Sequence, residues 1–145
     1  MPRERLTQKQ RQYVIERAQG CCEYCLCQAQ FATQSFSVEH IIPLDAGGDN
    51  EAANLALACQ GCNAHKHTKQ TALDPVEGNF APLYHPRQHH WHEHFGWNED
   101  YTLLIGLTPI GRATVVALQM NRPSLVNLRR VLYAFGEHPP LYEQA

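Results

Sequence analysis

The sequence lacks any apolar run that approaches the roughly 18 residues needed to span a bilayer. Its beginning, MPRERLTQKQRQ, has no apolar core of the kind that signal peptides carry. Internal repeats and low-complexity segments are also absent. We therefore predict a soluble, cytoplasmic protein without a membrane partner.

A strong charge of either sign is missing too. The formal net charge is −2, whereas proteins that rely on non-specific attraction to phosphate are usually basic. With 43% hydrophobic and 18% charged residues, the composition is globular rather than disordered. A chain of 145 residues has the length of one ordinary domain. Charge alone thus gives no indication of a nucleic-acid partner.

Cysteine is abundant, by contrast, and confined to the first half of the chain. A disulfide framework would suit a short secreted domain, but no export signal accompanies these cysteines. Two Cys-x-x-Cys pairs, Cys22/Cys25 and Cys59/Cys62, have the spacing at which a tight turn presents two thiolates to one metal. They predict a structural Zn²⁺ on four sulfurs. Cys21 and Cys27 flank the first pair and are the alternative ligands.

Local patterns predict an α+β fold. Thr7 and Gln10 form a capping box for a helix over residues 7–19, and Gly20 can end that helix. Residues 36–42 are rich in β-branched and aromatic side chains and predict a strand. The segment 45–50 predicts a loop, residues 54–58 a short apolar segment, and residues 60–70 a helix.

The second half has weaker patterns. Residues 71–90 contain three prolines and no clear period, and they predict an irregular connection. Strands are predicted over 91–95 and 101–107, joined as a hairpin by a turn over 96–100. Thr108-Pro109 predicts the start of a helix that reaches residue 120, and another helix is predicted over 123–135.

The residues between and after the cysteine pairs carry the chemistry. VEHIIPL at 38–44 is followed by Gly47-Gly48, then by Asn54-Leu55, and finally by CNAHK at 62–66. Together, in this order and spacing, they resemble the HNH endonuclease family in its form with two Cys-x-x-Cys knuckles. The resemblance covers roughly residues 21–69. It implies a ββα-metal (HNH, or His-Me finger) module that encloses one catalytic divalent cation and acts on DNA.

Hydrolysis of a phosphodiester needs an activated water and neutralisation of charge on the phosphate and the leaving 3′ oxygen. His40 is the candidate general base, because an imidazole can accept a proton near neutral pH. The resemblance assigns Asn54 the task of orienting the His40 ring. It makes Glu39 and Asn63 ligands of the cation, and their hard oxygens suit Mg²⁺ or Mn²⁺.

Two further residues of the motif remain open. His65 is an alternative metal ligand or a surface residue of the helix. Lys66 matches a lysine that family members often carry, and it is either a nucleic-acid-binding residue that contacts phosphate or half of a salt bridge. Many members of the family have Asp at the position of Glu39, and some have His at the position of Asn63.

We predict a nuclease module with an N-terminal helix over residues 1–70 and, packed on it, a C-terminal extension over 71–145 with a β-hairpin and two helices. The run GLTPIGRATVVALQMNRPSLVNLRR in this extension resembles extensions on some bacterial HNH proteins. Double-strand cleavage by a single site would need a homodimer or two visits. The rival interpretation is a non-catalytic zinc module that binds nucleic acid or protein. The histidines between His85 and His94 predict an ordinary β surface rather than a second metal site.

Overall fold

The computed structural model describes residues 5–144. Residues 1–4 and 145, the outer ends of the two predicted segments, lie outside this part. The described chain combines helices with small antiparallel sheets, which confirms the predicted α+β class. None of its helices is long and apolar enough to cross a membrane.

The N-terminal helix α1 spans Gln8–Arg17. The predicted capping box is present, because the Thr7 hydroxyl accepts the Gln10 backbone N–H while the Gln10 side chain accepts the Thr7 backbone N–H. Val14 and Ala18 lie in a small core that this helix shares with the second strand. Arg17 also donates to the backbone carbonyls of Ala52 and Leu55, at 3.0 and 2.7 Å. The helix thereby holds the segment that enters that strand.

The centre of the fold is a hairpin followed by a helix. Strand β1 (Ser37–His40) pairs antiparallel with β2 (Leu55–Ala58), with His40 opposite Leu55. Helix α2 (Gln60–Lys66) follows directly. Its first turn is capped by the Cys59 sulfur, and it ends where His67 adopts a positive φ of 49°. The predicted strand and helix are confirmed in type, and each is shorter than predicted.

The connection predicted as irregular contains a second hairpin. Strands β3 (Thr71–Leu73) and β4 (Phe80–Pro82) pair antiparallel around a turn in which Gly78 has φ 76°. Strands of three residues are too short to show an alternating pattern. The turn residues Asp74-Pro75 and Gly78-Asn79 are the sequence signal for this hairpin.

The strand predicted over 91–95 is wrong. Trp91–His94 forms a single helical turn, α3, and the strand β5 begins only at Phe95 and ends at Trp97. Trp91, His94 and Phe95 are buried, which is the spacing of three and four residues that a helical turn gives. In the sequence only Trp91 and Phe95 are apolar, and a separation of four fits an alternating strand as well. The histidines at 90, 92 and 94 therefore do not share a strand face.

The rest of the extension follows its prediction. Strand β6 (Leu104–Gly106) pairs with β5, and α4 (Pro109–Ala117) begins after Thr108, whose hydroxyl accepts the Gly111 N–H. Helix α5 spans Pro123–Ala134. Its apolar side is only partly buried, since Leu125 is buried but Val131 is 53% exposed.

One main core joins the two halves of the chain. It contains Tyr24 and the four knuckle cysteines from the first half. From the second half it contains Trp91, Phe95, Leu118 and Met120, together with the buried Leu125 of α5. The Trp91 ring N–H donates to the Tyr24 carbonyl at 2.8 Å. The candidate site therefore rests on packing from both halves.

Candidate active site and metal centre

Adjacent residues of β1 face opposite sides of the hairpin, as the pleat of a strand requires. Glu39 points towards α2 and Tyr24, where it is 7% exposed. His40, the next residue, points to the loop between the two strands and is half-buried. One short strand thus supplies a carboxylate on one side and an imidazole on the other.

Asn54 closes the loop between β1 and β2. Its side-chain oxygen accepts the Ile42 N–H at 2.8 Å, and its side-chain nitrogen donates to the carbonyls of Ile42 and Asp49 at 3.0 and 2.9 Å. Gly48 packs against the same groups, because a Cβ there would lie 1.9 Å from the Ile42 carbonyl oxygen. Asn54 is 8% exposed and shapes the backbone around the candidate base.

The ring of His40 is held by a different asparagine. Its Nε2 lies 2.7 Å from Oδ1 of Asn50. The prediction that Asn54 accepts the second ring N–H is therefore corrected, because the amide of Asn54 is occupied by backbone groups of the loop. With an amide oxygen as its partner, Nε2 carries the proton and Nδ1 keeps a free electron pair. Asn50 follows Gly47-Gly48-Asp49 in the loop, and this polar position was the sequence signal for it.

Glu39 forms a buried ion pair with Lys66. The Lys66 ammonium lies 3.0 Å from Glu39 Oε2 and donates to the Ile41 carbonyl, also at 3.0 Å. The Tyr24 hydroxyl donates to the other oxygen, Oε1. Burial raises the pKa of Glu39 above its ordinary value, although Lys66 and Tyr24 both oppose this shift.

This pairing decides between the two roles that the sequence left open for Lys66. The side chain is 1% exposed, so it cannot reach a phosphate of bound DNA. The predicted nucleic-acid contact is wrong, and the salt bridge is the role that the structure has. The partner Tyr24 was missed, since nothing in the spacing of CEYC relates its hydroxyl to a strand 15 residues away.

Asn63 lies in α2, half-buried and one turn before Lys66. Residues three apart share one side of a helix, so Asn63 lies on the side from which Lys66 reaches β1. Within residues 5–144 the Asn63 amide makes no hydrogen bond. Glu39 and Asn63 fit Mg²⁺ or Mn²⁺ in donor type. A carboxylate offers about four electron pairs, so the two bonds to Tyr24 and Lys66 leave others on Glu39.

The four knuckle cysteines come together as the sequence predicts. The sulfurs of Cys22, Cys25, Cys59 and Cys62 all lie within 4.8 Å of one another, and all four residues are buried. Cys25 and Cys59 have their sulfurs 3.8 Å apart. A tetrahedral zinc with Zn–S bonds of about 2.3 Å requires sulfur separations of about 3.8 Å. The cluster therefore fits a zinc ion in ligand type, number and spacing.

The two flanking cysteines differ from each other. Cys21 is buried, and burial together with the neighbouring Cys25 raises its pKa to about 11, which favours a protonated thiol. The half-buried Cys27 interacts with Cys22, Cys25 and Cys59. It is not among the four sulfurs that are mutually close. The pairing of Cys22 with Cys25 is thus the one that the structure supports.

An arginine from the second half contacts this cluster. Arg122 places Nη2 3.5 Å from the Cys59 sulfur and Nη1 3.8 Å from the Cys62 sulfur. Gly61 makes room for it, since a Cβ there would lie 2.5 Å from Arg122 Cζ. The guanidinium offsets the negative charge that four thiolates bring to a divalent ion. No local pattern links residue 122 to residues 59–62, and sequence reasoning missed it.

The histidines between residues 85 and 94 do not come together as three or more potential metal ligands in the described part of the chain. Within residues 5–144 the four-cysteine cluster is the one group of three or more His, Cys, Asp or Glu residues that could hold a metal ion. His65, the alternative ligand, belongs to no such group.

Comparison with known families agrees with this geometry. Residues 22–69, about a third of the chain, match the family model described as HNH endonuclease. No curated protein matches the chain. The matched segment begins at Cys22 of the four-cysteine cluster, contains β1, β2 and α2, and ends three residues after Lys66. Over residues 22–69 the chain is therefore similar to the HNH endonuclease family.

Proposed function

We propose that this protein is a metal-dependent endonuclease that hydrolyses phosphodiester bonds in DNA. The observation that carries the proposal is the His40 ring, held through Nε2 by Asn50 at the end of β1, with Nδ1 left to accept a proton. A purely structural knuckle has no use for an imidazole that is fixed in this way. The HNH family match supports a nucleic-acid substrate.

In the proposed reaction, His40 Nδ1 takes a proton from a water molecule as its oxygen attacks phosphorus. The bond between phosphorus and the 3′ oxygen breaks, and the leaving oxygen takes up a proton from solvent. The products are a 5′ phosphate and a 3′ hydroxyl. Glu39 and Asn63 would hold Mg²⁺ or Mn²⁺, which neutralises charge on the phosphate and the leaving oxygen when bound. Asn50 orients the base, and Asn54 fixes the loop that carries Asn50.

We further propose that the four-cysteine cluster holds a structural Zn²⁺. Thiolates in a tetrahedral arrangement select zinc or iron–sulfur clusters over hard cations. The cluster offers four protein ligands and lies in the main core. A closed site of this kind contributes to folding rather than to chemistry.

The test is conversion of supercoiled plasmid to nicked or linear DNA. Native protein and His40→Ala are compared in Mg²⁺, in Mn²⁺ and in EDTA, with zinc content measured for both. We expect metal-dependent cleavage that is lost in His40→Ala while the zinc content stays the same. His65→Ala, on α2, is the matched control and should cleave like the native protein.

The competing function is a non-catalytic zinc module that binds nucleic acid or protein. The ion pair between Lys66 and Glu39 favours it, because an ammonium already neutralises the carboxylate proposed as the metal ligand. A native protein that holds its zinc but leaves plasmid, single-stranded and branched DNA intact would establish this alternative.

A further inference from the structure

A pocket of about 260 Å³ opens beside α2 on the side of Lys66. We call it the α2 pocket. Ile41 and Ile42 from the end of β1 and Leu83 from the second half form its apolar wall, and Lys66 contributes to its lining. Pro82 and Tyr84 also line it, and its further polar residues are Lys69, Gln70, His85, Gln88 and His89. No carboxylate lies among them.

Hydrogen bonds fix the tautomers of the two histidines. His85 Nδ1 accepts the backbone N–H groups of Arg87 and Gln88, both at 3.2 Å. His89 Nδ1 accepts the backbone N–H of His85 at 2.9 Å. A nitrogen that accepts a hydrogen bond carries no proton, so the proton of each neutral ring is on Nε2. Burial lowers the pKa of both rings and keeps them neutral near pH 7.

Both rings therefore offer an N–H donor and no free acceptor. Within the part of the chain that the structure describes, neither Nε2 has a hydrogen-bond partner. This arrangement also explains why these histidines are poor metal ligands, since a metal would need the electron pair that the proton on Nε2 occupies. The two rings can therefore donate hydrogen bonds to a ligand that carries acceptor atoms.

Lys69 adds positive charge at the mouth of the pocket. It is exposed and uses one N–H to donate to the His65 carbonyl at 2.9 Å, which leaves two others. The side-chain amides of Gln70 and Gln88 are exposed as well. A site with one cation, several N–H donors and no carboxylate suits a group with several anionic oxygens, and a phosphate is such a group.

The pocket is next to the candidate catalytic strand. Ile41 and Ile42 directly follow His40 and line the pocket, and the buried Lys66 ammonium donates to the Ile41 carbonyl. We propose that the α2 pocket binds a backbone phosphate of the DNA strand beside the scissile phosphodiester. This inference rests on the proposed function and names a contact surface for its substrate. Lys69, three residues after the buried Lys66 and beyond the end of α2, is the exposed cation of the pocket that can reach DNA.

The test measures affinity for a short fluorescein-labelled DNA duplex by anisotropy, in the His40→Ala background so that no cleavage intervenes. Lys69→Glu and Gln88→Glu place a negative charge at the pocket. Lys9→Glu makes the same charge change on exposed α1 and is the matched control. We expect Lys69→Glu to weaken binding by about tenfold and to lower the salt dependence by about one counterion, with little effect of Lys9→Glu.

Equal losses for Lys69→Glu and Lys9→Glu would overturn the inference, because general charge would then explain them. Unchanged duplex affinity in Lys69→Glu, or no duplex binding by any variant, would overturn it too. Inorganic phosphate is titrated in parallel while nitrogen NMR follows the His85 and His89 rings. If inorganic phosphate shifts the nitrogen signals of these rings while Lys69→Glu leaves duplex affinity unchanged, the pocket binds free phosphate. In that case its assignment to a DNA backbone phosphate is wrong.

Failure of the proposed function has a different signature. In that case His40→Ala would cleave plasmid as well as the native protein does, or neither would cleave. If the native protein cleaves and Lys69→Glu binds and cleaves equally well, only the pocket inference fails. Zinc content and thermal unfolding of each variant confirm that it is folded before binding is compared.

Discussion

The ammonium of Lys66 lies 3.0 Å from Oε2 of Glu39, and the two side chains are only 2% and 6% exposed. Removing one partner of a buried ion pair leaves the other charge without compensation. The pair also ties α2 to β1 next to the candidate base. Lys66 thus acts on the site through Glu39 and not through the substrate.

We predict that Lys66→Met destabilises the protein by about 3–5 kcal/mol near neutral pH. Without the ammonium, the pKa of Glu39 rises further above its ordinary value of 4.5. A raised carboxyl pKa means that the folded state holds the proton more tightly than the unfolded state, so stability is lost as the pH rises through that pKa. The difference between variant and native protein should therefore be smaller near about pH 5 than near about pH 8.

Urea unfolding at both pH values measures this difference, and each comparison is made at one pH so that zinc affinity affects both proteins alike. Lys69→Met, one turn away and exposed, is the control and should change stability little. If the stability difference between Lys66→Met and the native protein shrinks as the pH rises, the uncompensated charge of Glu39 is not its cause.

We expect Asn54→Ala to lower the free energy of unfolding, because three backbone groups of the loop lose their hydrogen-bond partner. The Ile42 N–H and the carbonyls of Ile42 and Asp49 would lose their partner. An unsatisfied buried polar group costs about 1–3 kcal/mol. Denaturant unfolding measures the loss, and Asn50→Ala, in the same loop, is the comparison that should retain more stability. Equal losses in the two variants would contradict a clamping role specific to Asn54.

Asn50 should affect catalysis through the orientation of the His40 ring. We expect Asn50→Ala to slow plasmid nicking by about tenfold to a hundredfold, as second-layer partners of functional histidines do. Asn50→Asp can still accept the Nε2 proton and should recover part of the rate. A rate for Asn50→Asp no higher than that of Asn50→Ala would argue against contact between residue 50 and the base.

Arg122 should control how firmly the cysteine cluster retains its metal. Its guanidinium donates to the sulfurs of Cys59 and Cys62, and its loss leaves their charge less compensated. We expect Arg122→Ala to transfer zinc to a coloured chelator about tenfold faster than the native protein. Arg130→Ala, an exposed change on α5, is the control. If both variants release zinc at the native rate, the contacts to sulfur have no energetic role.

Features encoded over a few residues were predictable. The capping box at Thr7 and Gln10, the two Cys-x-x-Cys turns and the Thr108-Pro109 helix start each depend on neighbours in the chain, and each is present. The order and spacing of the motifs between residues 22 and 69 were sufficient to indicate the HNH family. Local chemistry was therefore a reliable guide to these elements.

Features that depend on distant partners were not predictable. Nothing in the sequence could tell whether Lys66 reaches phosphate or Glu39, because that depends on how deeply α2 packs against β1. The contact of Arg122 with residues 59 and 62 spans about sixty positions. The strands β3 and β4 are too short to carry a period, and WHEHF fits both a helical turn and a strand.

The buried hydrogen bonds of Glu23 and Tyr24 bear on whether the family-matched segment is stable without the rest of the chain. The Glu23 carboxylate accepts the Leu57 N–H at 2.7 Å and pairs with Arg87, and the Tyr24 carbonyl accepts the Trp91 ring N–H. Cut out at residue 70, the family-matched segment would keep its cysteines, His40 and the hydrogen bond between Leu57 and Glu23. It would lose Arg87, the ion-pair partner of Glu23, and Trp91, which donates to the Tyr24 carbonyl. The segment that matches the family model is thus not stable on its own. A chimera that uses this segment must also include the residues that cover it.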